Sequence, residues 1–302
     1  MDWRAKAMAQ NLLAKVPFGE RINDLLQLRV GGLRSFDSQV GGKVNDWIGM
    51  MTLLADWGVS VRNAATVEIG TGWIPTLPLC FWLAGGQSCI TYDVCRHLRP
   101  ELTRRLVRVL ERHLNAIAQA AAFPLADMRQ RYAEIGNDIL TTCGITYVAP
   151  GDASHTGLPD ESIDIVFSNS VLEHITTEAL PAVMQETRRI LRPSGVAVHC
   201  VACNDHYAHF DRSISYVNYL RFSAQEWRRW NNSLHYQNRL RAPDFLRVAE
   251  ESGLSLVAVR QYVRPGVEPA LQALPIAPEF RRYSRAELAT TSVNFVCRRA
   301  SA

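Results

Sequence analysis

The spacing of apolar positions changes several times along the chain, and each change marks an element. Trp47, Ile48, Met51, Leu54 and Trp57 recur at helical spacing, which predicts a helix over 45–57 with one face on a core. Residues 2–58 read as helical pieces broken by glycine pairs at Gly31-Gly32 and Gly41-Gly42. The β-branched run from Thr66 predicts a buried strand over 65–70. Ile74 to Ala84 should form the next helix, with its prolines in the first turn, where a missing N–H costs little. Gln87 to Asp93 reads as a second strand. From Arg99 to Ala121, Leu102, Leu106, Val109, Leu110 and Leu114 keep helical period, and Met128 to Leu140 predicts another helix, so a helical hairpin is inserted before the strand Ile145 to Val148.

The first strand ends in Glu68-Ile-Gly70-Thr-Gly72, where paired glycines permit a tight turn and let a ligand approach the main chain with no Cβ in the way. A dinucleotide fingerprint needs a third glycine at position 75, which is Pro75. The pair alone also suits a nucleotide site of another kind or a plain structural turn. Asp93 follows Gly72 by 21 residues, at the tip of the second strand, where a carboxylate can accept hydrogen bonds from both ribose hydroxyls. That position supports a nucleoside without choosing the cofactor.

Composition narrows the class. With 302 residues, 47% hydrophobic and 21% charged, the chain can bury a sizeable core. A net charge of +4 and a pI near 8.7, with both signs interspersed, do not argue for nucleic acid. Arg104, Arg105, Arg108 and Arg112 form a face that is either solvated or turned to an anionic substrate or membrane surface. Seven cysteines without framework spacing point to a reducing compartment. The start lacks the apolar core of a signal peptide, and the run Trp73 to Gly85 is too short to span a bilayer, so the expected location is the cytoplasm.

Three later motifs follow in series: Gly151-Asp152-Ala153, then Leu158-Pro-Asp160 through Asp164 to Glu173-His174, then Arg188-Arg-Ile-Leu-Arg-Pro193-Ser-Gly195. With E-x-G-x-G before them, this order resembles the class I S-adenosylmethionine-dependent methyltransferases of the ubiquinone-methyltransferase-related (methyltransferase type 11-like) group. The resemblance covers about residues 64–202 and, more loosely, 240–300. It implies an α/β, Rossmann-like, seven-stranded, mostly parallel sheet with helices on both faces and strand seven antiparallel. Ala242 to Ser252 would be a helix, Leu254 to Val263 strand six and Thr291 to Arg298 strand seven. It implies S-adenosylmethionine as cofactor, with Glu68, Gly70 and Gly72 at its methionine and ribose end, Asp93 at the ribose, Asp152 and Ala153 at the adenine, and Ser168, Asn169 and Ser170 beside the sulfonium. Glu173-His174 would open the next helix, as a cap or as a catalytic pair. The expected division is a helical cap over 1–60 and a cofactor domain over 61–302, with a helical insertion at about 95–143 and a substrate cap at about 203–241.

In open α/β sheets ligands sit outside the carboxyl ends of the strands, so the acceptor should meet the stretch after strand five. That stretch, from Asn204 to Arg239, is dense in amides, aromatics and histidines. It could line a pocket for a sugar or polyol, or pack as a surface cap. A hydroxyl acceptor needs a base, for which His209 or His206 is expected, oriented by Asp211 or Asp205. Cys200-x-x-Cys203 with these histidines resembles a metal site only superficially. Side chains three apart on a strand face opposite ways, so the cysteines read as buried and no metal is expected. The expected partner is a small-molecule or saccharide acceptor methylated on oxygen, with no nucleic acid and the oligomeric state open. Carbon or nitrogen methylation of a natural product or lipid, or a non-catalytic S-adenosylmethionine-binding scaffold, are the alternatives. An NAD-dependent enzyme is disfavoured by Pro75 and the motif order.

Overall fold

The computed structural model of the protein describes residues 2–19, 22–23 and 35–300. Its centre is one sheet of seven strands: β1 Ala65–Ile69, β2 Ser88–Tyr92, β3 Ile145–Val148, β4 Ile163–Asn169, β5 Leu191–Ala202, β6 Leu254–Tyr262 and β7 Ser292–Arg299. They lie in the order β3-β2-β1-β4-β5-β7-β6. The first five pair parallel, and β7 enters antiparallel between β5 and β6. From β1 the chain steps outward to β2 and β3, then returns to β4 on the other side. The reversal opens a crevice at the carboxyl ends of β1 and β4.

Alternation along the strands builds a core on each face. Ile165 and Phe167 of β4 and Val196 and Val198 of β5 face one side, while Val166 of β4 and Ala197 of β5 face the other. The first face is covered by the helices Phe36–Ala55, Thr76–Leu83, Pro100–Leu110 and Leu114–Ala120. All eight residues of Thr76–Leu83 are buried, because that helix is sandwiched between the sheet and Phe36–Ala55. Phe81 links the layers, its ring 5.7 Å from Trp47 and 4.5 Å from Phe167. Helices Leu180–Ile190 and Ala242–Glu251 cover the other face.

The strands and the central helices agree with the sequence expectations to within a few residues, and the helical boundaries carry the differences. Phe36–Ala55 runs straight through Gly41-Gly42, where a break was expected. Two interior glycines cost roughly 1 kcal/mol each relative to alanine, and a buried stripe that includes Val40, Val44, Trp47, Met50 and Leu54 outweighs that. A Cβ on Gly41 would stand 3.6 Å from the His113 ring, an ordinary contact, so the inserted hairpin packs beside this position without requiring a glycine. Trp57 falls past the helix end and is 43% exposed. The pair Gly31-Gly32 lies outside the described residues. The insertion is more segmented than its periodicity predicts: a 3-10 turn at Glu111–His113 separates two helices, and the helix Leu125–Ala133 stops before a one-turn helix at Ile139–Thr142. Phe36–Ala55 shares a core with β4 and β5 and does not form a separate cap.

The first helix, Trp3–Leu13, packs elsewhere. Trp3 is 2% exposed and sits against Tyr207, Phe222 and Trp230, with ring centroids 5.1–5.8 Å apart. Together with Tyr219, Trp227, Leu220, Phe280 and Leu288 these side chains form a third core beyond the sheet end. Tyr207, Tyr219 and Trp227 were candidates for lining a sugar pocket, and the structure buries them here instead. The amides of the same stretch are largely used internally: Asn218 donates to Asp205, Gln237 to the Asn204 carbonyl and Asn231 to the Gln237 carbonyl. Arg241 is wholly buried beneath this region. Its guanidinium donates to the carbonyls of Cys203, Glu287, Leu288 and Thr290 and to the Tyr219 hydroxyl. No helix among the described residues is long and apolar enough to cross a membrane.

Candidate active site at the carboxyl ends of the central strands

After β1 the backbone turns through two left-handed glycines, Gly70 at φ +78 and Gly72 at φ +69. The two serve different ends. A Cβ on Gly70 would come within 2.5 Å of the Val171 side chain, so this glycine lets the turn pack against the residue that follows β4. Nothing lies within 4 Å of a Cβ built on Gly72, which leaves an open cradle over the main chain. Both positions hold a left-handed φ that strains a β-branched residue, so Gly70→Val and Gly72→Val are each expected to lower the melting temperature and lose binding, with the larger stability loss at Gly70, where the new side chain also meets Val171.

Glu68 acts from beneath the turn. It is 4% exposed and accepts hydrogen bonds from the Thr71 hydroxyl at 2.5 Å and the Thr91 hydroxyl at 2.9 Å, fixing the turn to β2. Burial pushes its carboxyl from 4.5 up to about 7, partly offset by the two hydroxyls and by the Lys43 ammonium, while the Asp93 charge adds to the rise. The folded chain therefore holds a proton that the unfolded chain releases near pH 4.5, and stability contributed by this residue falls as pH rises from about 4.5 to about 7. The stability difference between wild type and Glu68→Gln should decline across that window in melts taken without ligand. A flat difference would show that Glu68 is ionised when folded.

Asp93 follows β2 and lies beside the cradle. Its Oδ2 accepts from the Gly72 N–H at 3.0 Å and from the Tyr147 hydroxyl at 2.9 Å, so the carboxylate is aimed by the turn and by β3. Burial raises its pKa, and the Tyr147 bond opposes the rise. Asp152, after β3, is exposed and accepts from the Ser154 N–H and hydroxyl. Ala153 packs on the second core beside it. After β4 the three expected residues separate. Ser168 is fully buried and hydrogen-bonds across the sheet to His199 Nδ1, its register partner on β5, so its side chain does not reach the crevice. Asn169 and Ser170 instead line an adjoining cavity, and Asn169 Nδ2 donates to Asp46 of the Phe36–Ala55 helix at 3.0 Å. An open cradle over Gly72, a fixed carboxylate at the β2 tip and a polar pair after β4 fit a nucleoside with a charged tail.

Next to that crevice lies a cavity of about 590 Å³. Its walls are Asn45, Asp46 and Gly49 from the helix above, Asn169 and Ser170 after β4, Asn204, His206 and His209 after β5, and Tyr262, Arg264, Ser292 and Asn294 from the antiparallel end of the sheet. The helix whose buried face carries Trp47 thus also contributes a polar roof. Asn294, Ser292 and Arg264 give no local signal because they lie more than 50 residues from the histidines and meet them only through the β5–β7 pairing and, for Arg264, the β7–β6 pairing beyond it.

The two histidines have different settings. His209 Nε2 lies 3.1 Å from Asn204 Oδ1, which makes it the donor there and leaves Nδ1 as the accepting nitrogen. Burial lowers its pKa, with Arg264 and Lys6 adding to the fall, so the ring is neutral near pH 7. His206 Nε2 lies 3.8 Å from Glu173 Oε1, and the His174 ring is 5.0 Å away. Burial drives His206 well below the usual histidine range and pushes Glu173 up to about 8. The aspartates expected to orient these rings are engaged elsewhere. Asp205 caps the turn His206–His209 by accepting from the Tyr207 N–H and holds Asn218. Asp211 accepts from the Trp3 N–H at 3.0 Å and from Ser213, anchoring the first helix. Cys200 and Cys203 are buried, and burial pushes the Cys203 thiol up to about 12, so neither is poised to bind an ion.

Comparison with known proteins bears on the domain and its fold. The family described as a methyltransferase domain matches residues 119–199, which span β3, β4 and most of β5. A malonyl-[acyl-carrier protein] O-methyltransferase of Yersinia pestis is 26% identical over 143 residues, 42% of this chain and 53% of its own length, so the match spans about half of that relative. Among solved structures, a geranyl diphosphate methyltransferase in complex with SAM is 14% identical, covering 92% of this chain and 95% of its own, with a TM-score of 0.48. The YcgJ protein of Bacillus subtilis is 13% identical over 84% of this chain and 99% of its own, with a TM-score of 0.42. Sheet order, motif series and matched domain converge on one conclusion: this chain carries the class I fold of the S-adenosylmethionine-dependent methyltransferases.

Proposed function

We propose that the chain transfers a methyl group from S-adenosylmethionine to an oxygen of a small, polar, glycan-like acceptor held in the cavity beside the glycine turn. The observation that carries this reading is the composition of that cavity, where amides, hydroxyls and two histidines surround a space open toward Asn169 and Ser170. When bound, S-adenosylmethionine supplies a methyl group on a sulfonium, already a good leaving group. The protein's part is then alignment, exclusion of water and removal of one proton. In this reading the Gly70–Gly72 turn holds the methionine end, Asp93 the ribose hydroxyls and Asp152 with Ala153 the adenine. Asn45, Asp46 and Asn294 hold acceptor hydroxyls. His209 Nδ1 takes the proton of the attacking hydroxyl, because its ring is neutral, faces the cavity and is fixed in tautomer by Asn204. In this reading residues 61–302 together with the Phe36–Ala55 helix make up the cofactor domain, residues 95–143 its helical insertion, and residues 203–241 with the Trp3–Leu13 helix the acceptor cap.

Thermal shift with S-adenosylhomocysteine against NAD tests the cofactor, and transfer of labelled methyl to a metabolite extract tests catalysis. Stabilisation by NAD alone would overturn the reading. Asp93→Ala should weaken S-adenosylhomocysteine binding by about 1.5–3 kcal/mol, the size expected when hydrogen bonds to a charged group are lost. Equal affinities by calorimetry would remove Asp93 from the ribose.

Arg264 favours a second acceptor. It lines the cavity and lies 4.7 Å over the Tyr216 ring, a stacked cation that suits a carboxylate. An acceptor carboxylate is already ionised and needs no base, and the Yersinia relative is named for methylating an acyl group on oxygen.

A further inference from the structure

We propose that Glu173, His174 and His206 form a binding site for a first-row divalent cation of the Zn2+ type, opening onto the acceptor cavity. The three residues come from two turns that converge beyond the sheet: Leu172–His174 after β4 and His206–His209 after β5. One donor atom from each lies within 4.8 Å of the others. Bonds of about 2.0–2.2 Å to imidazole nitrogen and carboxylate oxygen would place such donors roughly 3.4 Å apart, so the side chains need to close by about an ångström. Two imidazoles and one carboxylate suit borderline ions and leave positions open, whereas Mg2+ and Ca2+ prefer sets made of oxygen.

A second observation points to a ligand independently of the spacing. Glu173 is 2% exposed, and neither of its carboxylate oxygens is met by a hydrogen bond among the described residues. The backbone N–H groups of Glu173 and Ala202 face it without completing one. A buried carboxylate of this kind is costly unless something pairs with it. Its one ion-pair contact within the described residues is His206, at 3.8 Å, which is long for a hydrogen bond and short enough for both groups to share an ion.

The rings are also prepared. His174 Nδ1 lies 2.5 Å from the Tyr236 carbonyl, which takes the proton on that nitrogen and turns Nε2 outward as the ligating atom. His174 reaches solvent and His206 lines the cavity, so an ion has a path in and its open positions would face the acceptor. Held there, it would bind an acceptor oxygen and favour its deprotonation. It leaves His209 free as the proton acceptor assigned above, and ion binding stands whether or not that assignment is right.

The test titrates Zn2+ into the chelator-treated protein by calorimetry, with Mg2+ as contrast and Co2+ as a spectroscopic probe. One equivalent of Zn2+ should bind, Mg2+ should not compete, and Co2+ should show absorption bands of a low-symmetry imidazole site. Glu173→Gln and His206→Gln should each weaken Zn2+ by more than the ~10–100-fold that loss of an outer partner costs, while S-adenosylhomocysteine binding, measured on the same samples, certifies the fold. Absence of saturable Zn2+ binding, or one equivalent retained at full affinity in both variants, overturns the site. Failure of S-adenosylhomocysteine to bind wild type would instead strike at the cofactor reading and leave the ion titration interpretable.

Discussion

Alanine in place of His209 is expected to lower turnover ~10²–10⁴-fold with affinity for S-adenosylhomocysteine nearly unchanged, the span associated with loss of a general base. An alcohol keeps its proton at neutral pH, so alignment alone leaves a barrier that the imidazole removes. The wild-type rate should rise with pH through the lowered His209 pKa and then level, because the neutral ring is the active form. His209→Ala should lose that limb. Asn204→Ala should fall less and keep the limb, since it frees the ring's orientation while the base remains. Near-wild-type turnover in His209→Ala and in the His206/His209 double variant would discard the base and favour a carboxylate acceptor steadied by Arg264.

Replacing Arg241 by leucine should cost ~3–5 kcal/mol of stability, the scale of removing one partner from a buried charged network. Its guanidinium is the shared donor for carbonyls of β5's exit, of the segment 287–290 and for the Tyr219 hydroxyl. Leucine fills part of the volume and satisfies none of them, and each orphaned carbonyl adds its own desolvation cost. Lysine retains charge but cannot fork toward several acceptors, so Arg241→Lys should recover only a minor part of the loss. Denaturant melts decide it. A loss below about 1 kcal/mol for Arg241→Leu would mean that water takes over those carbonyls.

The glycine turn and the β2-tip carboxylate proposed to hold the cofactor were legible as geometry because their signals are local. A strand that ends in Glu68-Ile-Gly70-Thr-Gly72 needs only its own glycines to turn, and Asp93 owes its place to the length of one crossover. The acceptor half resisted for the opposite reason. Asp205 and Asp211 sit beside the histidines in sequence, yet a backbone turn and the Trp3 N–H claim their oxygens. Glu173 and His206 lie 33 residues apart and meet only because β4 and β5 are neighbours. Aromatic density after β5 read equally as a ligand surface or as a packed cap, and nothing in those residues alone announced that Trp3 would arrive to bury them. Ser168 shows the same limit, where a hydroxyl expected beside the sulfonium found an inward partner in His199.

The docking of Trp3 also bears on attempts to change acceptor preference by grafting. Its ring fills the space between Tyr207, Phe222 and Trp230, and its N–H holds Asp211, so the opening helix and the loop after β5 are two halves of one joint. A chimera that imports residues 203–241 from a homologue while keeping the original first helix would pair a tenon with a foreign mortise. Transplants should carry residues 3–13 along with the loop as a single exchangeable cassette.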